Sequence, residues 1–109
     1  MIGVLGNTST LSNNQISGAM PKFVIERNIL GAGKFPPEKL RAASQKSLEV
    51  LRKLGTDIQW IHSYVTGDKV YCIYLAPSEE IIKEHARLTG FPADKISRID
   101  TIIEPATAD

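Results

Sequence analysis

The chain has 109 residues, enough for one hydrophobic core and too few for two domains. Hydrophobic residues make up 42% and charged residues 23%, and 13 basic against 12 acidic side chains leave a net charge of +1. That balance excludes a strong electrostatic pull toward nucleic acid or anionic lipid, and no apolar run approaches the roughly 20 residues that span a bilayer. The one cysteine, Cys72, excludes an internal disulfide and fits a reducing compartment. A soluble cytoplasmic protein is expected.

Residues 1–19 carry no charged or aromatic side chain and are dominated by Ser, Thr, Asn and Gly. They lack the basic start and unbroken apolar stretch of a secretory signal. Such a composition buries too little surface to order itself, which predicts a flexible extension, with Met20 as the natural start. The competing reading is an arm that orders against a partner. From 20 to 109 a single domain is expected.

Lys22–Ile29 is rich in strand formers and runs into the loop signal Leu30-Gly31-Ala32-Gly33. Pro36-Pro37 opens a helix, Leu40, Ala43, Val50, Leu51 and Leu54 recur at helical spacing, and Gly55 stops it. Ile58–Val65 and Lys69–Ala76 read as two strands about a tight Gly67-Asp68 turn. Ser78 is placed to cap a second helix, with Glu79 and Glu80 in its first turn complementing the dipole. Ile81, Ile82, His85 and Ala86 share one face of that helix, which ends at Gly90. Lys95–Glu104 is the last predicted strand, and a polar tail begins at Pro105.

Strand-helix-strand twice over predicts a ferredoxin-like βαββαβ plait of the α+β class, a four-stranded antiparallel sheet with both helices on one face. Strict alternation from the turn puts Ile61, Ser63, Val65, Val70, Cys72 and Tyr74 on one side of the hairpin. Ile58, Trp60, His62, Tyr64, Tyr71, Ile73 and Leu75 fall on the other. Both sides are apolar and helices cover only one. The second is therefore expected to be the interface of a sheet-packed homodimer, anchored by Trp60, Tyr64 and Tyr71.

Particular stretches carry a likeness to known proteins. They are Pro21-Lys22-Phe23-Val24-Ile25-Glu26-Arg27, Ile58-Gln59-Trp60 through Ser63-Tyr64-Val65-Thr66, Asp68-Lys69-Val70-Tyr71-Cys72-Ile73-Tyr74, and above all His85-Ala86 followed by Gly90-Phe91-Pro92-Ala93. Over 21–107 the chain resembles a family of small bacterial ferredoxin-like proteins of unknown function that includes a nickel-binding protein. The resemblance implies a dimeric plait and binding of nickel or another divalent ion at the dimer surface. It implies no reaction and assigns no ligands to particular residues.

Two histidines are the sharpest polar residues. His85 lies on the apolar stripe of the second helix, where imidazole would serve as a metal ligand or an acid–base group. The competing reading is a buried histidine held by one hydrogen bond. His62 shares its expected strand face with Trp60 and Tyr64 and would approach its twin or a partner carboxylate across a dimer; alternatively it is an interface histidine that only hydrogen-bonds. Neither falls in a local metal motif. Glu80 and Glu84, i,i+4 neighbours, would add oxygen ligands, although such a run is more often a wet surface. Glu26 and Arg27 must point to opposite faces, so one is buried and needs a partner, for which Arg98 or Asp100 is available. Cys72 reads as a small hydrophobe rather than a nucleophile. Gly31-Ala32-Gly33-Lys34 lacks the full phosphate-loop pattern.

Two functions compete. The first is a non-enzymatic, nickel-binding homodimer for metal sequestration or sensing, with His85, His62, Glu80 and Glu84 as candidate ligands. The alternative is a cofactor-free enzyme of the dimeric α+β barrel kind. It would act on a small organic substrate in a sheet–helix cleft lined by Arg27, Cys72, Tyr74 and His85. RNA binding is disfavoured, because the aromatic signature of the recognition modules with this strand order is absent.

Overall fold

A computed structural model of the chain describes residues 20–55 and 57–109. The expected extension over 1–19 lies outside the described residues. Six regular elements follow in the order β1 (Lys22–Asn28), α1 (Pro37–Leu54), β2 (Gln59–Val65), β3 (Lys69–Leu75), α2 (Glu79–Thr89) and β4 (Lys95–Ile99). The sheet is antiparallel with strand order β2-β3-β1-β4, and both helices cover one face, which is the predicted plait. None of the described helices is long and apolar enough to cross a membrane.

Local punctuation sets most boundaries. Pro37 occupies the first turn of α1, where its missing N–H costs nothing. Gly90 ends α2 at φ 80°, and its N–H donates to the Ala86 carbonyl at 2.9 Å. Ser78 stands at the start of α2, but its side chain makes no capping hydrogen bond. Between β2 and β3 the turn is the expected two-residue one, with the Thr66 N–H donating to the Lys69 carbonyl at 2.8 Å.

One core joins the layers. Phe23 and Ile25 of β1, Cys72 and Tyr74 of β3, Leu51 of α1 and Ile82 of α2 pack together with Ile58 and Ala76. Ile25 and Ile82 are fully buried, each contributing about 1.5–3 kcal/mol.

Two expectations are corrected. The last strand stops at Ile99 rather than Glu104, because Ile99 pairs with Lys22, where β1 itself begins, and Asp100 onward has no strand to bond. The second concerns Trp60. Trp60 pairs with Tyr74 and His62 pairs with Ile73, so two residues of β2 advance against one of β3 and Ile61 is an inserted bulge. The extra residue reverses the alternation upstream of it. Trp60 and Ile58 therefore pack against the core beneath the helices, and Ile61 is exposed. Trp60 cannot anchor an interface on the open face. Tyr64, Tyr71, His62, Ile73 and Leu75 remain there.

The loop after β1 passes close under the hairpin turn. The Gly33 N–H donates to the Gly67 carbonyl at 3.0 Å, and a Cβ on Gly33 would lie 2.8 Å from the Thr66 carbonyl oxygen and 3.1 Å from the Gly67 Cα. Both obstacles are backbone, so Gly33→Ala should destabilise the protein by about 1–3 kcal/mol in urea unfolding. Gly67→Ala, which meets open space, should leave the midpoint nearly unchanged.

Candidate functional site

Alternation along β1 sends Phe23, Ile25 and Arg27 inward, and Arg27 is only 2% exposed. Its Nε donates to Cys72 Sγ at 3.3 Å and its Nη1 to the Pro92 carbonyl oxygen at 2.7 Å. The Phe91 ring centre lies 5.8 Å from the guanidinium carbon. Neither Asp100 nor any other described carboxylate pairs with it, so the expected internal ion pair for this residue does not form. Glu26 points to the open face and pairs there with Lys69 at 3.7 Å.

Beside Arg27 runs a short polar chain. Ser47 of α1 places its Oγ 3.2 Å from His85 Nε2 and 3.5 Å from the Tyr74 hydroxyl. His85 is completely buried, and its Nδ1 has no hydrogen-bond partner among the described residues. Burial, reinforced by the nearby Arg27 charge, lowers the His85 pKa to about 4, so the ring is neutral near pH 7. Burial likewise pushes the Tyr74 hydroxyl above its ordinary range, which keeps it protonated.

Above these groups the sheet and α1 separate, leaving a cavity of about 310 Å³. Arg27, Cys72, Tyr74 and Ser47 form its buried floor, while Leu40 and Ala43 of α1 and Val65 of β2 are exposed at its mouth. Trp60 forms one wall, its Nε1 donating to Ser63 Oγ at 3.0 Å. Three of the four residues expected to line a cleft are on the cavity surface. His85 stands behind Ser47 and does not reach it. Sequence reasoning missed Ser47 and Trp60. Ser47 does continue the apolar stripe Leu40, Ala43, Val50, Leu51, Leu54, and the adjacent pair Trp60-Ile61 breaks strict alternation.

The metal-ligand candidates are dispersed. His85 is in the core on the helix side of the sheet, whereas His62 is exposed on the opposite face, edge-on to Tyr64 with ring centres 5.0 Å apart. Glu84 receives two hydrogen bonds from Arg87, at 2.9 and 2.6 Å, which hold its carboxyl below the usual range, and Glu80 faces solvent. Among the described residues no group of three or more His, Cys, Asp or Glu side chains is arranged to hold a metal ion. The donors described in a single copy do not come together into a site that fits nickel.

Comparison with known proteins follows the fold. The family model described as "Nickel responsive protein SCO4226-like" matches residues 23–99. The crystal structure of SCO4226 from Streptomyces coelicolor A3(2) superposes with a TM-score of 0.64 at 19% identity, covering 75% of this chain and 99% of that one. No curated protein matches the chain.

The His85 shift carries a stability consequence. Between pH 6.5 and about 4 the unfolded chain binds a proton at this residue that the folded chain refuses, so stability falls as pH falls through that window. The full loss is about 3 kcal/mol. Urea midpoints measured from pH 7 to pH 4 should fall more steeply for the native chain than for His85→Gln.

Proposed function

The chain belongs to the nickel responsive protein family, and from that premise we propose that it is a non-enzymatic nickel-binding protein that works as a homodimer, in metal sequestration or sensing. The family match over 23–99 carries this reading. The metal would be held where two copies meet, since donors within one copy lie on separate faces. His62 is the exposed imidazole of the described residues, and it stands on the open sheet face among Tyr64, Tyr71 and Ile73. His62 lies on the edge strand β2, so a two-fold axis passing beside that strand would bring two imidazoles together, a donor type suited to nickel. A cytoplasmic setting accords with the single buried thiol, Cys72.

The cavity favours a second reading, a cofactor-free enzyme or binding protein for a small organic molecule. Arg27 would anchor the molecule, and Tyr74 would be the acid–base group within reach of it. His85 acts there only through Ser47.

Calorimetric titration of the full chain with nickel chloride should give saturable binding. His62→Ala, an exposed substitution that spares the core, should weaken it tenfold or more. Sedimentation should give twice the chain mass with nickel bound. No heat at micromolar metal, or full binding by a monomer, overturns the metal reading.

A further inference from the structure

We propose that the sheet–helix cavity is a binding site for a small monocarboxylate with an apolar aryl or alkyl body, its carboxylate received by Arg27. This rests on the second reading above and is independent of nickel.

The argument starts from an uncompensated charge. A guanidinium offers five N–H donors. Arg27 uses one to Cys72 Sγ and one to the Pro92 carbonyl, its other polar neighbour is the Tyr74 hydroxyl, and no carboxylate pairs with it among the described residues. Burying a cation without a counter-charge is costly, and both of its acceptors are neutral. Residues 1–19 contain no acidic side chain that would neutralise it. Acids on the adjoining segments are already engaged: Glu26 pairs with Lys69 on the opposite face, Asp94 accepts from the Asn28 N–H at 2.6 Å, and Asp68 from the Gly31 N–H at 2.9 Å. An anion arriving from outside is the remaining source of compensation.

Shape and lining narrow its chemistry. The guanidinium fork matches a planar carboxylate with two parallel hydrogen bonds. The Tyr74 hydroxyl, also on the floor, is a third donor, kept protonated by its burial. The rest of the lining is mostly apolar, with Leu40, Trp60, Val70 and Phe91 beside the hydroxyls of Ser44 and Ser63, and holds no second cation. A dicarboxylate or a phosphate ester would leave charge unpaired against that wall. At about 310 Å³ the space is at the small end of the ligand-site range, ~300–1,000 Å³.

Trp60, the only tryptophan, is in the wall, so its fluorescence reports occupancy. The full chain would be titrated with straight-chain monocarboxylates from acetate to octanoate, with benzoate and 3-phenylpropanoate, with the matching amides, and with inorganic phosphate. At least one longer or aryl acid should bind, change the emission and raise Tm, with its amide tenfold or more weaker. Arg27→Met should abolish the preference for acid over amide. Should Arg27→Met not fold, Ala43→Phe supplies the test: it fills the mouth from an exposed helix position, keeps Arg27, and should abolish binding. Equal binding of acid and amide, binding of phosphate alone, no binding by any acid, or undiminished binding by Ala43→Phe would each overturn the proposal. Absence of turnover would count against an enzyme and leave the binding site standing.

Discussion

One inserted residue, Ile61, decides which side chains of β2 lie beneath the helices. Without it, the two-residue turn would carry the alternation through Val65, Ser63 and Ile61 and leave Trp60 facing outward. With it, Trp60 comes inward opposite Tyr74 and reaches Ser63, three positions along the same strand, with its indole N–H. The bulge thus brings a large rigid ring into the closed layer. It also supplies one wall of the cavity and removes the largest apolar group from the open face.

The cavity owes its other wall to small side chains. The buried part of α1 begins at Ser47 and continues through Val50 and Leu51, where the helix meets the sheet closely. One and two turns earlier the sheet-facing positions are Ala43, Ser44 and Leu40, which are too short or too far out to fill the gap. Interiors of folded proteins are normally packed to crystal density, and here that packing stops at Ser47, leaving a space beside a buried arginine that opens at its mouth. Arg27 keeps its place through acceptors that are neutral, a thiol sulfur and a peptide carbonyl, which position the fork without neutralising it. The same uncompensated charge bears on His85, though burial is the larger cause of that residue's neutrality.

The chain's local punctuation was readable from sequence. Pro37 carries the fixed φ that suits a first helical turn, Gly55 and Gly90 take the positive-φ positions that end the helices, and Gly67-Asp68 marks the hairpin turn, so the order of elements and the plait followed from them. What was not readable depends on partners far along the chain. The end of β4 is set by where β1 starts, and β-formers at 100–104 do not reveal that limit. The inward turn of Trp60 needs the β2–β3 register, which the adjacent apolar pair Trp60-Ile61 only hints at. Arg27 was recognisable as one of two neighbours of which one must be buried. Its actual partner is a backbone carbonyl at Pro92, and a carbonyl has no side-chain identity for a sequence reading to find.

Alternation along β3 places the two readings of function back to back. Cys72 and Tyr74 face the cavity, while Tyr71 and Ile73 face the open side one residue away. After the transfer of Trp60 the open face keeps an apolar middle of Val24, Tyr71, Ile73 and Leu75, bordered by Lys22, Glu26 and Lys95. An apolar centre with a charged border is the composition of a surface between separately folded partners, not of a core cut in half. A second copy laid there would meet His62 and Tyr64 but no cavity residue, because the sheet lies between. Metal at that face and an organic acid against Arg27 would therefore draw on different side chains, and neither site needs the other to be occupied.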